Sequence, residues 1–285
     1  MSELKSKSFK CAKMYSLVFI FPLLLIPFIL ACNESKKQGV ELRVMSFNIA
    51  AGHGAIDGIV RVIEEYAPDI VALQEVDVHW GERSNYEDQA RYLGEALNMH
   101  YFFGEIYTLE AENNEESPRQ YGLAFMSKNP LVHKQNHLLT RLSTQTPEPE
   151  LKVLPGFVEI AVEIEGQQVH VFNTHLDYRR DPTVRLTQID EMIEIMNNVD
   201  GPVILAGDLN ARPGAEELST IFNMLKDAWN VEDDPGYTFP ADQPDRRIDY
   251  ILHSDQFEVM DVFVVDTEAS DHRPVIADIL LRKSL

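Results

Sequence analysis

Hydrophobic and polar positions follow two different periods along the chain. Buried strands are predicted where apolar residues run together, as in LRVMSFNI (42–49), PDIVALQEV (68–76) and the first part of PVILAGDLN (202–210). A helix is predicted over 183–197, where apolar residues recur at intervals of three and four. The same patterns predict further strands near 100–107, 121–127, 157–164, 168–174, 248–253, 257–265 and 274–281, and further helices over 56–66, 86–97 and 215–228.

This mixture of strands and helices favours one large domain of the α/β (α+β) class. Elements of both kinds in this number predict two sheets packed face to face with helices outside. Two connections, 108–118 and 140–155, are rich in acidic, Thr or Pro residues and are predicted to be surface loops. The sequence shows no repeat and no low-complexity segment.

The first 32 residues have the pattern of an export signal. Four lysines precede an apolar run from Leu17 to Leu30, and the small residue Ala31 follows directly. The run is short and interrupted by two prolines, which disfavours a membrane-spanning helix. Residues 1–32 are therefore expected to direct export.

Cys32 follows the small residue and makes this junction resemble the lipobox of bacterial lipoproteins. We expect removal of the signal, acylation of Cys32 and anchoring on the periplasmic or cell-surface side of a membrane. An uncleaved anchor and a simple secretory signal are alternatives, and both also export the protein. Residues 33–40 read as a flexible tether, and 41–285 as the domain.

Charge and cysteine content narrow the chemistry. The chain carries a formal charge of −21, and its first 32 residues hold four lysines and one glutamate, so the remaining 253 residues carry −24. Such a surface repels polyanions and has no basic stripe for a nucleic-acid backbone. The two cysteines, Cys11 and Cys32, both lie in the N-terminal segment, so the domain has no disulfide, zinc-thiolate site or cysteine nucleophile.

Polar residues recur at the predicted strand ends, where α/β folds build their sites. An Asn or Asp there usually forms a local turn, so each segment alone is weak evidence for a functional site. Glu75 and Asp208 are more suggestive, because a carboxylate ending an apolar strand is costly to desolvate without a cation or a donor. The segments supply Asn48, Glu75, His175 and Asp177 from NTHLD, Asp208 and Asn210 from GDLN, Asp249 from RIDYIL, and Asp271 and His272 from SDH.

Taken in order, these segments closely resemble the endonuclease/exonuclease/phosphatase family of metal-dependent phosphoesterases, which includes DNase I, neutral sphingomyelinases, inositol-polyphosphate 5-phosphatases and abasic-site endonucleases. The resemblance runs from about Leu42 to Leu281. It implies a four-layered DNase I-like sandwich of two mixed sheets. It also implies a Mg²⁺ cofactor, with Mn²⁺ as an alternative, because hard oxygen ligands suit these ions.

The resemblance assigns roles residue by residue. Glu75 is expected to bind the metal with Asn48 and Asp271 beside it. Asp208 and Asn210 are expected to position the attacking water and the phosphoryl oxygens. His272, held by Asp249, is expected to act as general base or as a donor to the phosphate, and His175 as general acid for the leaving group.

The remaining assignments have weaker support from sequence motifs. Arg119 and Tyr121 occupy a stretch where relatives contact substrate phosphate, and a strand-start arginine and a packed tyrosine are the alternative. Arg185 and Gln188 are predicted to lie on a solvated helix face. Abasic-site endonucleases carry an acidic residue where this chain has Ala50, which argues against that branch.

We therefore expect an exported, lipid-anchored, Mg²⁺-dependent phosphoesterase, monomeric, whose substrate is a small phosphodiester, a phospholipid headgroup or a phosphorylated sugar. Nucleic acid is disfavoured by the charge. A secreted DNase I-like nuclease is one alternative, and a lipoprotein that uses this fold only for binding is another. The complete set of matching residues speaks against lost catalysis.

Overall fold

A computed structural model of the chain describes residues 39–111 and 117–283. The predicted signal with Cys11 and Cys32, and the tether up to residue 38, lie outside the described residues, so the lipidation of Cys32 stays a prediction. Within the described ranges, no helix combines the length and apolar character needed to cross a bilayer.

The described residues form twelve strands and four α-helices. The strands are β1 (Gly39–Asn48), β2 (Ile70–Val78), β3 (His100–Leu109), β4 (Arg119–Ser127), β5 (Leu131–Leu142), β6 (Leu151–Ile164), β7 (Gln167–His175), β8 (Val203–Asp208), β9 (Lys226–Asp227), β10 (Asp249–His253), β11 (Phe257–Val264) and β12 (Val275–Arg282). The helices are α1 (Ile56–Tyr66), α2 (Gln89–Ala96), α3 (Thr183–Met196) and α4 (Ser219–Met224).

Two six-stranded sheets make up the fold, in the orders β11-β12-β1-β2-β4-β3 and β5-β6-β7-β8-β10-β9. Each sheet is mixed: β1 and β2 run parallel in the first, β7 and β8 run parallel in the second, and the other neighbours are antiparallel. The predicted fold class is confirmed.

Three apolar clusters hold four layers together. Between the sheets, Val44 and Phe125 pack in one cluster with Ile160 and Val171. The outer face of the first sheet packs against α1 and α2. The outer face of the second packs against α3 and α4. Helices therefore cover the outer faces, and the apolar faces of both sheets are removed from water.

The strand β5 and the end of the predicted helix 215–228 differ from expectation. Residues 140–155 were expected to form a loop, but β5 and β6 extend into this range and leave only 143–150 between them. The alternating signal fails in β5 because His137, on the face towards α3, lies 2.7 Å from the buried carboxylate of Glu159 rather than packing as an apolar residue. The predicted helix 215–228 ends at Met224, because the chain then turns into β9 and pairs with β10.

A buried amide pair joins the two sheets. Asn173 of β7 donates from Nδ2 to the carbonyl oxygens of Leu73 (2.9 Å) and Ala124 (3.0 Å) in the opposite sheet. Its Oδ1 accepts a hydrogen bond from Gln74 Nε2 at 2.7 Å. Both amide side chains are fully buried. These bonds join residues that are far apart in the sequence, and they set how one sheet is placed against the other.

Replacing Asn173 by Ala should lower the free energy of unfolding by about 2–4 kcal/mol, because buried carbonyl groups lose their donor and Gln74 loses its acceptor. Urea denaturation at neutral pH measures the change. The exposed Asn198 is the matched control, and Asn198→Ala should stay within about 0.5 kcal/mol of the parent. Equal, small effects of both substitutions would show that the amide bridge contributes little.

Candidate active site

The sheet registers bring the strand-end residues together at one edge of the sandwich. His175, the last residue of β7, pairs with Asp208, the last residue of β8, and Asp208 pairs with Asp249, the first residue of β10. Gly207 permits this arrangement. Its φ is +150°, and a Cβ there would lie 2.1 Å from the carbonyl oxygen of Thr174, so no larger residue fits before Asp208.

Glu75 is aimed into the same place by a bulge in β2. The β2–β4 register shifts between Leu73 and Val76, and Glu75 has φ of +57°, a left-handed backbone that non-glycine residues adopt rarely. Its Oε1 accepts a hydrogen bond from Asn48 Nδ2 at 3.0 Å, and the same amide nitrogen lies 3.2 Å from Asp208 Oδ2. Two carboxylates from different sheets thus meet at one amide group.

His272 and Asp249 form a buried pair. His272 Nδ1 lies 2.9 Å from Asp249 Oδ2, which also accepts a hydrogen bond of 2.5 Å from Thr238 Oγ1. The Phe239 ring packs on the imidazole, with ring centres 4.5 Å apart. Burial alone lowers the pKa of His272, but the charge and the hydrogen bond of Asp249 outweigh it and raise the pKa to about 10. The imidazolium therefore presents Nε2 towards Asp208, 3.8 Å away.

His175 and Asp208 face each other across the centre of the site. His175 Nε2 lies 3.5 Å from Asp208 Oδ2 and 4.0 Å from Glu75 Oε1. Burial, and next the charge of Asp249, raise the pKa of Asp208 to about 6. The Asp208 carboxylate is therefore the charged form at neutral pH, with a pKa close enough to exchange a proton.

The structure places the other predicted site residues as follows. Asn210 donates from its backbone N to Asp208 Oδ1 (2.8 Å) and from Nδ2 to the carbonyl oxygen of Leu176 (3.0 Å). Asp271 is exposed and, beside His272, borders a cavity of about 520 Å³ that Glu75, His175 and Asp208 also line. Tyr121 also lines this cavity, whereas Arg119 donates to the carbonyl oxygen of Glu110 (2.9 Å) and is not among the lining residues.

The resemblance of the sequence is borne out by comparison with known proteins. The family model for the endonuclease/exonuclease/phosphatase family matches residues 45–272. The chain belongs to this family. Enzymes of this family are hydrolases that act on phosphate esters and depend on divalent metals, and the site described above lies within the matched range. A search of curated protein sequences gave no match.

Solved structures of the family share the fold. An endonuclease/exonuclease/phosphatase from Beutenbergia cavernae is 27% identical with a TM-score of 0.64, over 85% of this chain and 72% of that chain. The human Nocturnin catalytic domain with bound sulfate is 25% identical with a TM-score of 0.61, over 84% of this chain and 93% of that one. A family protein from Bacteroides thetaiotaomicron, 19% identical with a TM-score of 0.62 over 86% and 100% of the two chains, supports the fold alone.

The prediction of a solvated helix face for Arg185 and Gln188 is wrong. Both side chains are buried. Arg185 pairs with Glu217 at 2.7 Å, and Gln188 Oε1 accepts a hydrogen bond from the backbone N of Asp177 at 3.0 Å. The Asp177 carboxylate pairs with Arg179, so it is already engaged away from His175. Polar residues on this helix therefore serve the loop that follows β7.

Three further residues of the site have no motif by which sequence reasoning finds them. Thr238 and Phe239 lie in the connection before β10 and reach the His272–Asp249 pair only through the fold. Arg141 lies at the end of β5, the strand that the hydrophobic pattern missed, and lines the cavity. In each case the deciding contact is long-range.

The oxygen donors fit a divalent cation. Asn48, Glu75 and Asp208 supply amide and carboxylate oxygens, the ligand type that hard cations prefer. Burial and the charge of Asp249 raise the pKa of Asp208 by more than His175 and His272 lower it, so the protein's own groups balance its charge only in part. Ligand atoms of Asp208, Asp249 and His272 also lie within 4.8 Å of one another, but the Asp249 carboxylate is already occupied by His272 and Thr238. We therefore place the cation at the Glu75 side.

Glu75→Gln should weaken Mg²⁺ or Mn²⁺ binding about tenfold or more, at least the loss that outer ligand partners cause in other metal sites, because a ligand charge is removed. Isothermal titration calorimetry measures the affinity. Glu163, exposed on β6, is the control, and Glu163→Gln should leave binding unchanged. Identical titrations of the Glu75 variant and the parent would remove Glu75 from the metal site.

Proposed function

We propose that the protein is an exported, membrane-anchored, Mg²⁺-dependent phosphoesterase that hydrolyses a phosphodiester or phosphomonoester of a small molecule or lipid headgroup. The observation that supports catalysis most strongly is the convergence of two histidines on Asp208, at 3.5 Å and 3.8 Å, opposite the carboxylate of Glu75. A family member that had kept only binding would have no need of this complete acid–base set.

The chain's own groups can carry each proton of the reaction. Asp208 takes a proton from a water whose oxygen forms the new bond to phosphorus. His175 gives a proton to the leaving oxygen as its bond to phosphorus breaks. His272, kept charged by Asp249, donates a hydrogen bond from Nε2 to a phosphoryl oxygen. When bound, Mg²⁺ supplies charge neutralisation at the phosphoryl oxygens.

The shape and charge of the site favour a small substrate. The cavity has a volume of about 520 Å³, within the range of small-molecule pockets. Residues 33–285 carry −24, which opposes the approach of a long polyanion at physiological ionic strength. A phosphate ester that enters the cavity meets the catalytic groups without tracking along the outer surface.

Export and anchoring complete the proposal. The lysines, the apolar run and Cys32 support a lipoprotein whose catalytic domain is held near a membrane by a short tether. A lipid-anchored enzyme of this kind works on phosphate esters outside the cytoplasm, including those presented at a membrane surface.

His272→Ala should reduce kcat by about a hundredfold or more, because the charged donor to the phosphate is lost. The assay is hydrolysis of bis-p-nitrophenyl phosphate with Mg²⁺, with and without EDTA. His100, exposed at the start of β3, is the control, and His100→Ala should retain the parent rate. Unchanged turnover of the His272 variant would eliminate it from the reaction.

A substrate panel tests the class of ester. It holds sphingomyelin, other phospholipids, inositol phosphates, a cyclic nucleotide, a phosphomonoester and plasmid DNA, each with metal and with EDTA. We expect EDTA-sensitive turnover of a small or lipid ester that disappears in the His175→Ala and His272→Ala variants. Cleavage of plasmid DNA alone would support the nuclease alternative, and no turnover of any compound would support a binding protein.

Cys32→Ser should release the protein from the membrane fraction, because the residue that carries the lipid is gone. Fractionation of expressing bacteria followed by immunoblotting measures the distribution. The Cys11→Ser variant is the matched control and should remain with membranes. If the Cys32 variant also remains there, the apolar segment itself is the anchor.

A further inference from the structure

Arg141 is a buried arginine with no acidic partner. It is 6% exposed and donates from Nη1 to the carbonyl oxygen of His175 (2.9 Å) and from Nη2 to that of Gly156 (2.7 Å). A guanidinium has five N–H donors. These two bonds leave three of them, and Nε has no hydrogen-bond partner. Among the described residues, no carboxylate forms an ion pair with Arg141.

The other two buried arginines of the described residues are paired. Arg185, 5% exposed, lies 2.7 Å from Glu217, and Arg247, 6% exposed, lies 2.7 Å from Asp227. Burying a cation without an anion is costly, so folded proteins pair such groups or reserve them for a ligand. Arg141 differs from its two counterparts in one further respect, because it lines the active-site cavity.

Gln188 adds a second unused donor to the same wall of the cavity. Its side chain is fully buried, Oε1 accepts the N–H of Asp177, and Nε2 has no partner. Arg141 and Gln188 thus brace the same short segment, at His175 and Asp177. Both line the cavity next to the leaving-group side assigned to His175.

The cavity therefore has two unlike ends. Glu75, Asp208 and Asp271 bring three carboxylates to one end, where His272 and Arg246 also line the cavity on either side of Phe239. At the Arg141 end, the one carboxylate that lines the cavity belongs to Asp177, and it is engaged by Arg179. The guanidinium of Arg141 and Nε2 of Gln188 can both donate hydrogen bonds to acceptor oxygens of a ligand.

We propose that Arg141 and Gln188 form a subsite for a second anionic group, so that the substrate carries a carboxylate or a further phosphate on its leaving-group side in addition to the scissile phosphate. This inference rests on the proposed function, because the first phosphate must lie at the metal end. It narrows the substrate class to small esters with two anionic groups.

Three non-hydrolysable ligands test the subsite: methylphosphonate, phosphonoacetate and 3-phosphonopropionate. All carry one phosphonate for the metal end, and the last two add a carboxylate at increasing distance. Calorimetry with the full chain in excess Mg²⁺ should show at least one carboxylate ligand binding roughly ten to a hundred times more tightly than methylphosphonate, as expected for charge-assisted hydrogen bonds.

Substitutions assign the gain to Arg141. Arg141→Met should abolish it, Arg141→Lys should keep part of it, and Gln188→Met should reduce it, while methylphosphonate affinity stays the same in each variant. Arg246, which lines the cavity beside Phe239, is the matched control, and Arg246→Met should retain the gain. If Arg141→Met does not fold, the Lys and Gln188 variants decide.

The outcomes separate the two proposals. Methylphosphonate binding with no carboxylate gain in the parent would overturn the subsite and leave the phosphoesterase intact. A gain that survives in Arg141→Met or vanishes in Arg246→Met would also overturn it. No binding of any phosphonate would contradict both the subsite and the proposed function.

Discussion

The buried bridge between Asn173 and Gln74 is the constraint on which the active site depends. It crosses the apolar interior between the sheets, where an unpaired amide would be costly, so the sheets have one favoured alignment. Gln74 immediately precedes Glu75, and Asn173 lies two residues before His175. The same bonds that register the sheets therefore set the distance between the carboxylate of Glu75 and the imidazole of His175. Apolar packing alone would tolerate small shifts of one sheet against the other. A site with half of its residues on each sheet would lose its geometry through such shifts.

Two charged groups at this junction, Asp208 and His272, affect the stability of the fold in opposite directions. The folded pKa of Asp208 is raised to about 6, so its ionisation disfavours the metal-free fold increasingly as the pH rises from 3.8 towards 6. His272 acts in the opposite sense. Its folded pKa is raised to about 10, so the pair with Asp249 stabilises the fold below pH 6.5, and this contribution is lost as the pH rises through 10. At neutral pH, Asp208 is thus a buried carboxylate that a bound cation would stabilise. His272 is an imidazolium that the carboxylate of Asp249 keeps charged.

The sequence predicts the parts of the fold and of the site that depend on local interactions, and it does not predict those that depend on long-range contacts. Strand ends are local features, and parallel neighbours place their carboxyl ends at one edge, so Asn48, Glu75, His175 and Asp208 could be recognised as candidates in advance. The helix α1 was predicted with its observed bounds because its apolar stripe is regular. By contrast, β5 carries histidines on its face towards α3 and an arginine at the active-site cavity, so hydrophobic periodicity could not find it. Arg141, Gln188 and Thr238 act through contacts that exist only once both sheets and α3 are assembled, and a polar residue on a helix reads the same whether it faces water or a buried loop.

The polarity of the cavity connects these observations to the net charge of the protein. Under the two proposals, its carboxylate end binds a phosphate through the metal and the charged His272, whereas its Arg141 end binds an anion without a metal, so a ligand with a phosphate and a second anionic group has a fixed orientation. In the proposed reaction, that orientation puts the scissile phosphate between Asp208 and His272 and points the leaving group towards His175. The charge of −24 on residues 33–285 weakens non-specific attraction of any polyanion, so selection among substrates falls to the few donors inside the cavity. Under the two proposals, a surface that repels anions and a cavity that binds them together favour compact esters with two anionic groups over long chains of phosphates.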